Sequence, residues 1–179
     1  MFMHKQTEKI VLSGLFIAMG IVLAPVFHSA GLGQAISPLH FPVLIAGFIV
    51  GWKYALAIGI ITPLLSFLMP FGIPDIITAA QISAELAVYG LVIGLIYKFL
   101  KPFKTRLFNI YLSLIIAMLA GRIVGGAVTA LIFGLQGSTY GFQAFLGAYF
   151  VGTFPAIILQ ILIVPAIIEI YENRLEKRN

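Results

Sequence analysis

The stretch LFNIYLSLIIAMLAGRIVGGAVTALIFGL, residues 107–135, contains one charged side chain, Arg122. About 20 apolar residues, rising roughly 1.5 Å each, are enough to cross the hydrocarbon core of a bilayer. A water-exposed helix of this composition would have no polar face to present. The rest of the 179-residue chain has the same character. It is 61% hydrophobic and only 9% charged, with a mean hydropathy of +1.09, whereas a soluble domain carries about 25% charged residues. The sequence therefore predicts an all-α fold: a single domain over residues 1–179, built as an integral membrane bundle of six transmembrane helices. The length leaves no room for a soluble ATPase domain.

Six apolar segments can be marked, at about 8–27, 38–51, 54–69, 75–100, 107–135 and 141–171. The second and third are short and carry Pro42 and Pro63, which a membrane helix tolerates when neighbours satisfy the freed carbonyl. They could form a re-entrant pair or two irregular spans, and Trp52 and Lys53 between them mark an interface, which favours two spans. The first segment has a longer apolar stretch than a signal peptide and is expected to be retained.

The basic residues set the orientation. Lys5, Lys9, Lys53, Lys98, Lys101, Lys104, Arg106, Arg174, Lys177 and Arg178 all fall at the termini or at the second and fourth connections. The other three connections carry no Lys or Arg. The positive-inside rule then places both termini in the cytoplasm of a multi-pass cell-membrane protein. It also accounts for the net charge of +5 without nucleic acid.

Gln81, Glu85 and Tyr89 are spaced i, i+4, i+8 and share one face of the fourth helix. Glu85 lies roughly 15 Å from the outer end of that helix, where a carboxylate is costly and must face the bundle interior or a wet cavity. Arg122 lies at similar depth among Gly121, Gly125 and Gly126, with Thr129 two turns on. Its planar donor fork suits a carboxylate, which could belong to a substrate or to Glu85. His40, between Pro38 and Pro42 and near Gln34, sits at the outer edge of the same bundle. These six residues, Gln34, His40, Gln81, Glu85, Tyr89 and Arg122, are the candidate binding residues. The outer loops are rich in glycine, proline and aromatics and suit lids over an external pocket. Gly14 and Ala18 form a small-xxx-small pair that permits close approach of another helix.

The chain has no cysteine, and its three scattered histidines have no metal-ligand spacing. Walker A, HExxH and GxSxG patterns are absent. No catalytic residue, metal or cofactor is assigned, and the chain is not expected to be an enzyme.

The whole chain resembles the substrate-binding S component of an energy-coupling factor (ECF) vitamin transporter. The likeness rests on its size, its six-helix plan and several short runs. Gly14-xxx-Ala18 stands where the family often shows AxxxA, the glycine keeping the surface small. Leu39-His40-Phe41-Pro42-Val43 continues into Ala46-Gly47-Phe48 and Gly51-Trp52-Lys53-Tyr54. Ala84-Glu85-Leu86-Ala87-Val88-Tyr89-Gly90 and Ala120-Gly121-Arg122-Ile123-Val124-Gly125-Gly126 are also similar. The resemblance implies high-affinity binding of a micronutrient in an outward-facing pocket. It implies as partners a membrane-embedded coupling protein, docked at Gly14 and Ala18, and two cytoplasmic ATPases, with toppling in the membrane to release the cargo inside.

Trp52 is expected at the cytoplasmic face, so stacking on a ligand falls to Phe and Tyr. An unpaired Arg122 favours an anionic cargo such as pantothenate. An Arg122 neutralised by Glu85 favours pyridoxine or a hydroxymethylpyrimidine. Pantothenate is the leading expectation. Two other classes compete: a small intramembrane enzyme using Glu85, Arg122 and His40 on a lipid or isoprenoid, and a scaffold subunit in which the polar stripe only holds helices together.

Overall fold

The computed structural model describes residues 2–70, 73–100 and 105–177, with side chains from residue 6 onward. Lys101, Lys104 and Arg178, and the side chain of Lys5, lie outside the described residues. Among the described residues the chain is helical, with no strand. We number the helices α1 (Phe2–Ser29), α2 (Gly33–Ile36), α3 (His40–Ile49), α4 (Trp52–Leu68), α5 (Ile76–Leu100), α6 (Arg106–Leu135), α7 (Phe142–Leu146) and α8 (Phe154–Glu176). A π-helical turn, Gly147–Val151, joins α7 towards α8.

The all-α expectation holds, but the helices do not number six. Among the described residues four stretches are long and apolar enough to cross a membrane: Gln6–Ser29, Ile76–Leu100, Arg106–Leu135 and Phe154–Glu176. The two expected short spans are α3, of 10 residues, and α4, of 17. They are separated by Gly51, whose φ of 85° is a conformation glycine adopts without penalty. The expected sixth segment is broken. Its first third is α7 and the π turn, and α8 begins only after Gly152 and Thr153. Pro155, at the start of α8, suits a first helical turn because no carbonyl there awaits its missing amide.

The core lies where α3, α5, α6 and α8 meet, around Leu44, Leu86, Ile93, Leu114 and Ile168. Packing of α4 on α5 is unusually close. A Cβ at Gly59 would strike the backbone of Leu86, one at Gly90 the backbone of Ala55, and one at Gly94 the backbone of Trp52. Glycine permits this approach of main chain to main chain. By contrast α1 leaves most of its surface uncovered: only 17% of its most apolar window is buried. Ile10, Val11, Val22 and Val26 are exposed along it.

One polar cluster ties the ends of α5, α6 and α8. Arg106 hydrogen-bonds Asn173 and Glu176 and lies 3.3 Å from Glu172 and 3.6 Å from Glu169. The Tyr97 hydroxyl donates to Glu172 at 2.8 Å. The glutamates repeat at i, i+3 and i+7, so they share one face of α8.

Candidate functional site

At the end of the bundle opposite Arg106, a cavity of about 740 Å³ opens between α1, α2, α3, α5, α6 and the π turn. That volume suits a small organic ligand. Five of the six candidate residues line it: Gln34, His40, Gln81, Glu85 and Arg122. The sixth, Tyr89, does not. It lies one turn deeper on α5, fully buried, and acts on the cavity through Glu85.

Glu85 is 5% exposed, and two side chains hold its carboxylate. The Tyr89 hydroxyl donates to Oε1 at 2.5 Å. His40 Nε2 faces Oε2 at 3.5 Å. The i, i+4 spacing on α5 brings Tyr89 under Glu85, and the start of α3 delivers His40 from the side. His40 also meets the Tyr89 ring edge-on, centroids 5.6 Å apart. Its Nδ1 is buried with no hydrogen-bond partner among the described residues.

Arg122 is 3% exposed. Its Nε donates to the Tyr149 carbonyl at 2.8 Å, and its Nη1 makes a long bond to the Met118 carbonyl, 3.4 Å. The guanidinium lies between two rings, 6.0 Å from the centroid of Tyr89 and 5.7 Å from that of Phe150. Among the described residues it forms no ion pair, with Glu85 or any other carboxylate, and Nη2 donates no hydrogen bond. Sequence alone left open whether Glu85 neutralises Arg122. Here the carboxylate is engaged by His40 and Tyr89 instead. A buried cation held only by carbonyl oxygens and ring faces is incompletely compensated, and an anion is its natural complement.

Two further lining residues, Tyr149 and Thr129, are not among the six candidates. The Tyr149 hydroxyl and Thr129 Oγ1 are 2.9 Å apart, and both residues line the cavity. Tyr149 lies inside a stretch that reads as one continuous apolar span, so nothing singled it out. Thr129 is visible in the sequence two turns beyond Arg122 on the same face of α6, although it is not among the six candidates. Near the mouth, Asp75 caps α5: its Oδ1 accepts from the amides of Ile77 and Thr78 at 3.0 and 3.1 Å. Hydrogen bonds from Thr78, chiefly from its side chain, hold the Asp75 carboxyl below its ordinary value.

Gly14 and Ala18 do not line this cavity and are exposed on α1. A Cβ at Gly14 would meet nothing within 4 Å.

Comparison with curated proteins and with solved structures returns no match. The family model described as "ECF transporter, substrate-specific component" matches residues 8–171, nearly the whole chain. The chain therefore belongs to the substrate-specific components of ECF transporters, multi-pass membrane proteins that bind a small-molecule substrate in vitamin-type transport alongside an ECF module.

Proposed function

We propose that this chain binds a carboxylate-bearing B-type vitamin or precursor in the cavity above Glu85 and Arg122, with the cavity open to the outside. The observation that carries this reading is that Arg122, a buried cavity-lining cation, makes no direct ion pair with a carboxylate among the described residues and is held by two main-chain carbonyls. Pantothenate fits best, since its carboxylate complements Arg122 and its hydroxyl and amide groups complement Gln34, Gln81 and Thr129. Pyridoxine and hydroxymethylpyrimidine, which lack an anion, come next.

In this reading α3 and α4 complete a six-span bundle with the four longer helices, and both termini face the cytoplasm. The exposed Gly14 and Ala18 meet a membrane-embedded coupling protein, and two cytoplasmic ATPases supply the energy. The chain itself catalyses no reaction. Mass spectrometry of small molecules released from the purified protein tests the assignment. A co-purifying vitamin carboxylate is the expected result. A neutral vitamin would overturn the role given to Arg122, and turnover of an added lipid would favour the enzyme reading. Cysteine introduced at Gly137 should label from outside intact cells, and one introduced at Glu176 should not.

A further inference from the structure

No residue from 141 to 152 is buried, yet this segment walls one side of the cavity. Its end at Gly152 lies against the Gln34 side chain of α2, and its aromatic residues rest on α6. A Cβ at Gly126 would overlap the Phe145 ring, and one at Gly125 would come within 3.0 Å of the Tyr149 ring. The two glycines form a shallow seat for both aromatic side chains. Arg122 and Thr129 lie one turn to either side of the seat on the same face. Each hydrogen-bonds Tyr149, Arg122 through the main-chain carbonyl and Thr129 through the hydroxyl. Thr153 also donates to that carbonyl, at 2.8 Å. A π turn, Gly147–Val151, presents Tyr149 and Phe150 together, and such turns recur at functional sites.

We propose that Tyr149 is a positioning residue for Arg122, and that residues 142–153 form a movable wall whose closed position is set by Gly125 and Gly126. The proposal deepens the binding-site reading and rests on it for its functional consequence. With the wall seated, Arg122 Nε is fixed by the Tyr149 carbonyl and one face of the guanidinium is covered by Phe150. The Nη2 edge is then oriented for a ligand anion. Lifting the wall removes the carbonyl and the Phe150 ring at once, because both belong to the wall. Opening the cavity and dismantling the anion site are therefore one event, and a bound anion that fixes Arg122 favours closure.

The test uses the full-length protein in detergent, without ligand. Gly126→Ala fills the seat and Phe145→Ala empties it, so both should release the wall. Gly134→Ala, on the same helix with open space around its Cβ, is the control. Hydrogen–deuterium exchange over residues 142–153 should rise roughly tenfold in the first two variants, equivalent to about 1.4 kcal/mol, and not in the control. Labelling of Arg122 by phenylglyoxal, read by peptide mass spectrometry, should rise with it. Unchanged exchange in both variants would overturn the seat. Faster exchange with unchanged Arg122 labelling would overturn the positioning role of Tyr149. If Gly126→Ala cannot be purified, Phe145→Ala, which only removes atoms, decides alone. Neither readout involves a ligand, so a failure here and a failure of the binding-site reading remain distinct.

Discussion

Replacing Arg122 with methionine, which keeps an unbranched side chain in a buried site, should cost affinity for an acid far more than for its amide. In the ligand-free protein Arg122 makes two hydrogen bonds, one good at 2.8 Å and one long at 3.4 Å, both to main-chain carbonyls. Losing them affects every ligand alike and cancels in a comparison of two ligands. What does not cancel is the ligand carboxylate left without a counter-charge. Removing one partner of a buried ion pair costs about 3–5 kcal/mol, roughly one hundred- to several thousand-fold in affinity. A neutral carboxamide loses a hydrogen bond to a charged donor, about 1.5–3 kcal/mol at most. Isothermal titration of pantothenate and its primary amide against wild type and Arg122→Met gives the four affinities of a cycle. At the middle of the two ranges the acid should lose roughly twentyfold more than the amide, a difference of about 1.75 kcal/mol. Equal losses would refute the reasoning, since Arg122 would then act on the ligand only through packing. So would recovery of stability and binding in Arg122→Met with Glu85→Gln, because that would make Glu85 the true partner.

Tyr89→Phe keeps the ring over Gly121 but removes the donor to Glu85 Oε1; a loss of roughly 1–3 kcal/mol should appear as a lower melting temperature. Asp75→Ala removes the cap of α5 and should cost about 0.5–2 kcal/mol. Because the Asp75 carboxyl titrates below its ordinary value of 3.8 when folded, its contribution is present above that pH and fades as pH falls through the folded value. The stability difference between Asp75→Ala and wild type should therefore shrink below about pH 4. Leucine at both Gly14 and Ala18 should block uptake in cells while leaving ligand affinity within about twofold, since both are exposed and neither lines the cavity, so bulk there obstructs another helix; normal uptake would place the coupling protein elsewhere.

Helices α1, α5 and α6 are legible in the sequence because lipid-facing segments must be apolar for about 20 residues. The polar stripe on α5 is equally legible, because helical periodicity alone puts Gln81, Glu85 and Tyr89 on one face. The break before α8 is not. Residues 141–171 are apolar throughout, and hydropathy cannot distinguish a continuous span from a π turn followed by a fresh helix start. Gly152 and Pro155 were the available signals, but each is tolerated inside a membrane helix. The partner of Glu85 was also beyond reach. Both His40 and Arg122 lie far from it in sequence, and only the tertiary placement of α3 chooses between them. Tyr149 escaped notice for a related reason, since its carbonyl contributes as much as its side chain and a main-chain group leaves no mark in composition.

The close seam between α4 and α5 differs in kind from the aromatic seat on α6. Where Gly59, Gly90 and Gly94 bring backbone against backbone, there are no rotamers to rearrange, and any larger residue must push whole helices apart. Those three positions behave as the bound spine of a book. Phe145, Tyr149 and Phe150 are a leaf held through side chains, and of the three it is Tyr149 that lines the cavity, so its ring can change without disturbing the spine. A change there alters one wall alone, because the polar groups that face the cavity from α2, α3, α5 and α6 lie outside residues 142–153.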